Sequence, residues 1–147
     1  MSDTWDLEAV KHRIMKHEGY RDTVYNDHLG NATIGYGHLI TPTDPFRSGK
    51  RYDRKDLNRV FEYDFNIAKK DMELVLSDCG DQPNVVKEII IEMCLQMRRP
   101  RVMKFRKMLE AIKNKTYKIA STEMLDSVWA RQTSNRAHNL AELMRSI

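Results

Sequence analysis

From Asp53 to about Leu76 apolar side chains recur at helical spacing with no glycine or proline to interrupt them: Leu57, Val60, Phe61, Phe65, Ala68, Met72 and Val75. Asp53, with Asp56 three residues later, supplies a start signal. A helix of more than 20 residues is long enough to bridge two lobes at about 1.5 Å per residue. After it the pattern stays helical: about 84 to 97 (Val85, Val86, Ile89, Ile90, Met93, Met97), 101 to 113 (Val102, Phe105, Met108, Leu109, Ile112), 116 to 129 and 135 to 146. Pro100 is expected to separate the first two of these.

Before the long helix the pattern differs. Residues 5 to 17 read as an amphipathic helix, with Leu7, Val10 and Ile14 on one face and Asp3 or Thr4 as its cap. Glu18 continues that face, so a carboxylate stands where an inward-facing apolar side chain is expected. Residues 23 to 40 then read as short strands of an antiparallel sheet (Thr23 to Tyr25, Ala32 to Tyr36) around a turn at Gly30-Asn31. The segment 41 to 52, with Pro42, Pro45 and Gly49, reads as a surface loop. The expected class is α+β, mostly α: one domain over 1–147, in which a sheet-bearing lobe (about 15–55) is joined by the helix at 53–76 to a helical lobe (77–147 plus 1–14).

A chain of 147 residues can bury a core without covalent staples. Cys79 and Cys94 lack Cys-x-x-Cys spacing and read as free thiols. No run approaches the 18 to 20 apolar residues of a membrane span, and the opening MSDTWDLEAV has no basic region followed by an apolar one. The protein is therefore expected to be soluble where it is made. The formal charge of +4 suits an anionic partner, and six of the ten residues from Arg98 to Lys107 are basic. Such a run is by default a solvated helix face. As a nucleic-acid surface it would need stacking aromatics, and it offers only Phe105, a core candidate, so no specific nucleic acid is expected.

Glycoside hydrolysis requires one carboxylic acid to protonate the leaving oxygen and a second group to stabilise positive charge or activate water. Glu18 sits at the end of a helix with a buried face, which favours the acid form, and Asp27 in the polar turn Asn26-Asp27-His28, which favours the carboxylate. Taken singly, Glu18 would be a helix-end cap, Asp27 a turn residue and Thr33 a strand residue. The five histidines show no His-Glu-x-x-His pattern and no cysteine partners, so neither metal nor cofactor is expected. Gly35-x-Gly37 is too short for a dinucleotide loop.

The run Glu18-Gly19-Tyr20-Arg21, then Val24-Tyr25-Asn26-Asp27, Gly30 and Thr33-Ile34-Gly35-Tyr36-Gly37-His38, resembles the active-site signature of the phage lysozymes, glycoside hydrolase family 24. Phe61-x-x-Asp64, Met93-x-x-Gln96-Met97 and Trp129-x-x-Gln132-Thr133-Ser134-Asn135-Arg136 follow in family order, so the likeness runs along nearly the whole chain. The resemblance implies a lysozyme-like fold and a muramidase that cuts bacterial peptidoglycan with inversion. In it Glu18 is the general acid, Asp27 the second carboxylate and Thr33 the hydroxyl that holds the attacking water. It further implies that Arg136 supports Glu18, that His38 pairs with Asp64, and that Leu39, Gln96 and Met97 contact sugar. A phage endolysin of this kind would be a monomer, held in the host cytoplasm until released to the periplasm or cell wall. The alternative is a lysozyme-fold protein that grips peptidoglycan without cutting it. The chain departs from the family after Met97, where Arg98-Arg99-Pro100-Arg101 stands in place of a glycine-rich turn. Arginine resists the backbone angles glycine permits, and the added charge could meet anionic outer-membrane lipid through Arg98, Arg99 and Arg101.

Overall fold

A computed structural model describes residues 5–27 and 30–147, which form two compact units, one ending at Ile67 and the other starting at Ala68. The first holds helix α1 (Leu7–Glu18) and strands β1 (Arg21–Asn26), β2 (Ala32–Gly35) and β3 (His38–Leu39). Helix α2 (Arg54–Val75) begins in the first unit and ends in the second, which continues with α3 (Asn84–Val102), α4 (Arg106–Lys113), α5 (Tyr117–Leu125), α6 (Val128–Gln132) and α7 (Ser134–Arg145). This is the expected α+β, mostly α class, with a small antiparallel sheet. No helix among the described residues is long and apolar enough to cross a membrane.

Asp6 caps α1 by accepting from the Ala9 N–H at 3.1 Å. The expected caps Asp3 and Thr4 lie outside the described residues. Val10 and Ile14 bury the inner face of α1, whereas Leu7 and Glu18 at its ends are half-buried. Glu18 is thus less enclosed than its place on the apolar stripe suggests, because the helix stops there. The sheet runs in the order β1-β2-β3, all antiparallel. Tyr25 pairs with Thr33, Thr33 with Leu39 and Ile34 with His38, and an irregularity interrupts β1 between Arg21 and Tyr25. The single strand expected over 32 to 36 ends at Gly35. Gly35 and Gly37 both take positive φ, and the chain reverses between them into β3. Asp53 starts α2 by accepting from the Lys55 N–H at 3.1 Å. Ile34, Leu57, Phe61 and Phe65 are buried in this unit, with Phe61 stacked edge-on against Tyr36.

The second unit is held by apolar helix packing. Ile89, Ile90, Ile91 and Met93 of α3, Ile112 of α4, Met124 of α5 and Met144 of α7 are fully enclosed, each contributing about 1.5–3 kcal/mol of burial. Ser121 donates to the Ala141 carbonyl at 2.8 Å, tying α5 to α7. Three helix boundaries differ from the sequence reading. The break expected at Pro100 falls at Arg98 (φ 68°, ψ 159°), and Pro100 stands just inside the turn that follows, where its missing N–H costs nothing. The helix expected over 101 to 113 is interrupted between Val102 and Arg106. The one expected over 116 to 129 divides at Ser127, which caps α6 by accepting from the Ala130 N–H. Cys79 and Cys94 are free and buried.

Candidate active site

Glu18 is the last residue of α1, and the chain leaves the helix through Gly19 (φ 71°, ψ 178°), a conformation open essentially to glycine alone. The carboxyl of Glu18 lies against the backbone of the β2–β3 turn: a methyl group built on Gly37 would stand 2.5 Å from Glu18 Oε2 and 3.1 Å from its carboxyl carbon. Gly37 therefore has two reasons to be glycine, its φ of 81° and the acid pressed against it.

Asp27 follows β1 and organises the next turn. Its Oδ1 accepts from the Asn31 N–H at 2.8 Å, its own N–H donates to the Asn31 carbonyl, and its carbonyl accepts from Gly30 N–H. His28, the third member of the expected polar turn, lies outside the described residues. Thr33 is 2% exposed, and its hydroxyl donates to the Asn31 carbonyl at 2.8 Å. Tyr25, which sequence reasoning passed over, lies near enough to both carboxylates to feel their charge. Burial pushes its hydroxyl up, the charges of Glu18 and Asp27 push it further, and Arg21, whose guanidinium lies 4.4 Å over the ring, opposes them. The signal was there in Val24-Tyr25-Asn26-Asp27, but nothing in a strand pattern distinguishes a tyrosine that lies near charge.

His38 on β3 lies within hydrogen-bond distance of two carboxylates, Nδ1 2.7 Å from Asp64 Oδ2 on α2 and Nε2 2.8 Å from Asp44 Oδ2. Burial alone would lower its pKa, but hydrogen bonds and charge from Asp64 and Asp44 outweigh it and hold it above the ordinary histidine value. Asp44 is opposed by burial too, yet the Thr41 N–H and His38 hold it below the usual carboxylate range. Asp44 was not anticipated, because a residue of an irregular loop carries no periodicity that would place it. Leu39, next on β3, is half-buried.

In the second unit Gln96 and Met97 end the regular part of α3. Met97 is buried, and Gln96 Oε1 accepts from Trp129 Nε1 at 2.8 Å, while its amide nitrogen is buried with no acceptor among the described residues. Arg136 on α7 reaches Glu92 at 3.4 Å. Glu92 is fully enclosed and was also missed, although its sequence context, a carboxylate inside Ile89-Ile90-Ile91-Glu92-Met93, repeats the anomaly that drew attention to Glu18. Of the nine expected site residues, Glu18, Asp27, Thr33, His38, Leu39 and Asp64 thus fall in the first unit and Gln96, Met97 and Arg136 in the second.

The described residues contain no cluster of metal-ligating side chains. The arrangement in the first unit can supply an acid, a second carboxylate and a hydroxyl around one turn-and-sheet framework. Residues 15–82 match the family described as phage lysozyme. Two proteins of Dictyostelium discoideum, "Probable T4-type lysozyme 1" and "Probable T4-type lysozyme 2", are 26% and 25% identical to the chain, each comparison covering 95% of both sequences. In sequence and in its α+β fold, the chain resembles the phage lysozymes of the T4 type.

Proposed function

We propose that the chain is a muramidase, a single lysozyme domain that hydrolyses the β-1,4 bond between N-acetylmuramic acid and N-acetylglucosamine in bacterial peptidoglycan. Glu18 protonates the leaving oxygen as the glycosidic C–O bond breaks. Asp27 offsets the positive charge that builds on the sugar ring and takes a proton from the attacking water. Because the Thr33 hydroxyl hydrogen is already committed to Asn31, Thr33 can act on that water only as an acceptor, which orients it. Attack from the face opposite the leaving group inverts the anomeric carbon. Gln96, whose amide nitrogen finds no acceptor among the described residues, and Leu39 and Met97 contact sugar, Arg136 supports Glu18, and no metal or cofactor takes part.

The observation that carries this reading is the seat of Glu18 against Gly37, with Tyr25 near enough to Glu18 and Asp27 to feel the charge of both. The likeness to lysozymes supports the reaction class. As a phage endolysin the protein would be a monomer, kept in the host cytoplasm until release to the wall and lysis of the cell.

Purified peptidoglycan should lose turbidity with the wild type, and Glu18→Gln should slow that loss by at least about 10²- to 10⁴-fold. Equal rates would remove Glu18 from the mechanism. Wall binding without lysis by either protein would replace the reading with a non-catalytic grip. Inversion is checked by the anomeric form of the first product seen by NMR.

The exposed Arg98, Arg99 and Arg101 are proposed to contact anionic outer-membrane lipid. Among the described residues Arg99 has an ion pair with Asp71 at 3.7 Å, and none engages Arg98 or Arg101. Co-sedimentation with phosphatidylglycerol vesicles should weaken about fivefold per arginine removed, and no change would discard the contact.

A further inference from the structure

Neutral imidazole carries one N–H, yet His38 faces a carboxylate at each ring nitrogen, Asp64 at 2.7 Å and Asp44 at 2.8 Å. Neither neutral tautomer serves both: one aspartate would confront a lone pair. With both aspartates ionised, only the doubly protonated ring satisfies the arrangement. Asp44 is itself fixed, since the same oxygen, Oδ2, accepts from the Thr41 N–H at 2.7 Å and the Thr41 hydroxyl at 3.1 Å. Phe46 then lies edge-on to the His38 ring and Tyr52 edge-on to Phe46. The Tyr52 hydroxyl donates to the Pro45 carbonyl and accepts from the Arg47 N–H. The segment from Thr41 to Tyr52 is thus folded back on His38. His38 in turn directly follows Gly37, whose backbone seats the Glu18 carboxyl.

We infer that Asp44 is a positioning residue for the reaction: it holds His38 as a two-proton cation and, through His38, fixes the β2–β3 turn behind Glu18. Among the described residues, the charged groups that face His38 are Asp44 from the loop and Asp64 from α2. With both, the ring is anchored from two sides; with Asp64 alone it keeps one anchor, and the turn gains freedom at the position where Glu18 needs a fixed wall. The catalytic part of this inference rests on the proposed muramidase reading, whereas the state of His38 and its grip on the turn do not.

Asp44→Asn keeps the shape and removes the charge. Imidazole ¹H and ¹⁵N shifts of His38 are followed against pH in wild type and variant, together with the Gly37 amide and lysis of peptidoglycan. Wild type should show both ring nitrogens protonated at neutral pH, and a Gly37 amide that titrates with His38. In Asp44→Asn the proton affinity of His38 should fall about 10- to 1,000-fold. The alkaline limb of the lysis profile should move to lower pH, with kcat rather than KM reduced. An unchanged His38 titration in the variant would overturn the inference, and so, where the wild type lyses, would an alkaline limb of the variant's lysis profile that does not move. If the wild type fails to lyse at all, the muramidase reading falls and the catalytic part of the inference falls with it. The His38 and Gly37 titrations then decide the clamp on their own.

Discussion

Left-handed backbone is handled differently in the two units. Up to Ile67 each described residue with positive φ is a glycine: Gly19, Gly30, Gly35, Gly37 and Gly49. Beyond it Gly80 is joined by Arg98 and Lys115, residues that pay for the same conformations in strain. In the first unit the sharp turns bring polar groups to one place, and glycine lets the chain approach a carboxylate closely. In the second the helices are fixed by buried apolar side chains, so a strained connection such as Arg98 can be carried by the packing around it. Shape is set by backbone in one region and by side-chain volume in the other.

Gly37→Ala should bring the largest change. It adds a methyl group 2.5 Å from Glu18 Oε2, so lysis should fall by orders of magnitude. Gly49→Ala, with the same φ of 81° and open space around it, should cost only about 1 kcal/mol of strain and leave lysis unchanged. Equal losses would mean that glycine serves torsion alone at both sites, and would undo the contrast drawn here. Ile90→Ala, in the apolar second unit, should cost about 2–5 kcal/mol in denaturant unfolding. Arg136→Ala should cost about 3 kcal/mol, since it leaves the enclosed Glu92 without its guanidinium. A near-zero change would show that the other surroundings of Glu92 suffice. Arg98→Gly should stabilise the chain by about 1 kcal/mol, the strain relieved less the entropy glycine adds to the unfolded state. Destabilisation would mean that the arginine side chain contributes packing that outweighs its torsion.

The pH dependence of stability sharpens the same contrast. His38 is held above its ordinary value in the folded state, so its stabilisation is fully present below about pH 6.5, the unfolded value. It declines as pH rises through the raised folded value. Unfolding midpoints should therefore fall on the alkaline side in wild type and much less so in His38→Gln.

The sequence made the second unit legible through volume and period: of the expected apolar positions, Val86, Ile89, Ile90, Met93 and Met97 of α3 and Met108 and Ile112 of α4 are buried, while Val85 is exposed. Its connections were less so, because the breaks at Arg98, Met103 to Phe105 and Ser127 interrupt a stripe that continues on both sides. In the first unit Glu18 stood out as a carboxylate on an apolar face. The third strand was hidden because Ala32 to Tyr36 reads as one β-like run unless Gly35 and Gly37 are known to turn. Asp44 and Tyr25 were out of reach for a further reason: their significance lies in which side chains they lie near, and no spacing encodes that.

Cys94 lies within α3, and burial, with Asp71 adding its charge, pushes its thiol up to about 12. Essentially no thiolate forms at neutral pH, so oxidants and disulfide partners find no nucleophile while the helix stays closed. A chain made in a reducing compartment can then pass into an oxidising one with this sulfur unaltered. Alkylation of Cys94 would instead time each transient opening of the fold around it.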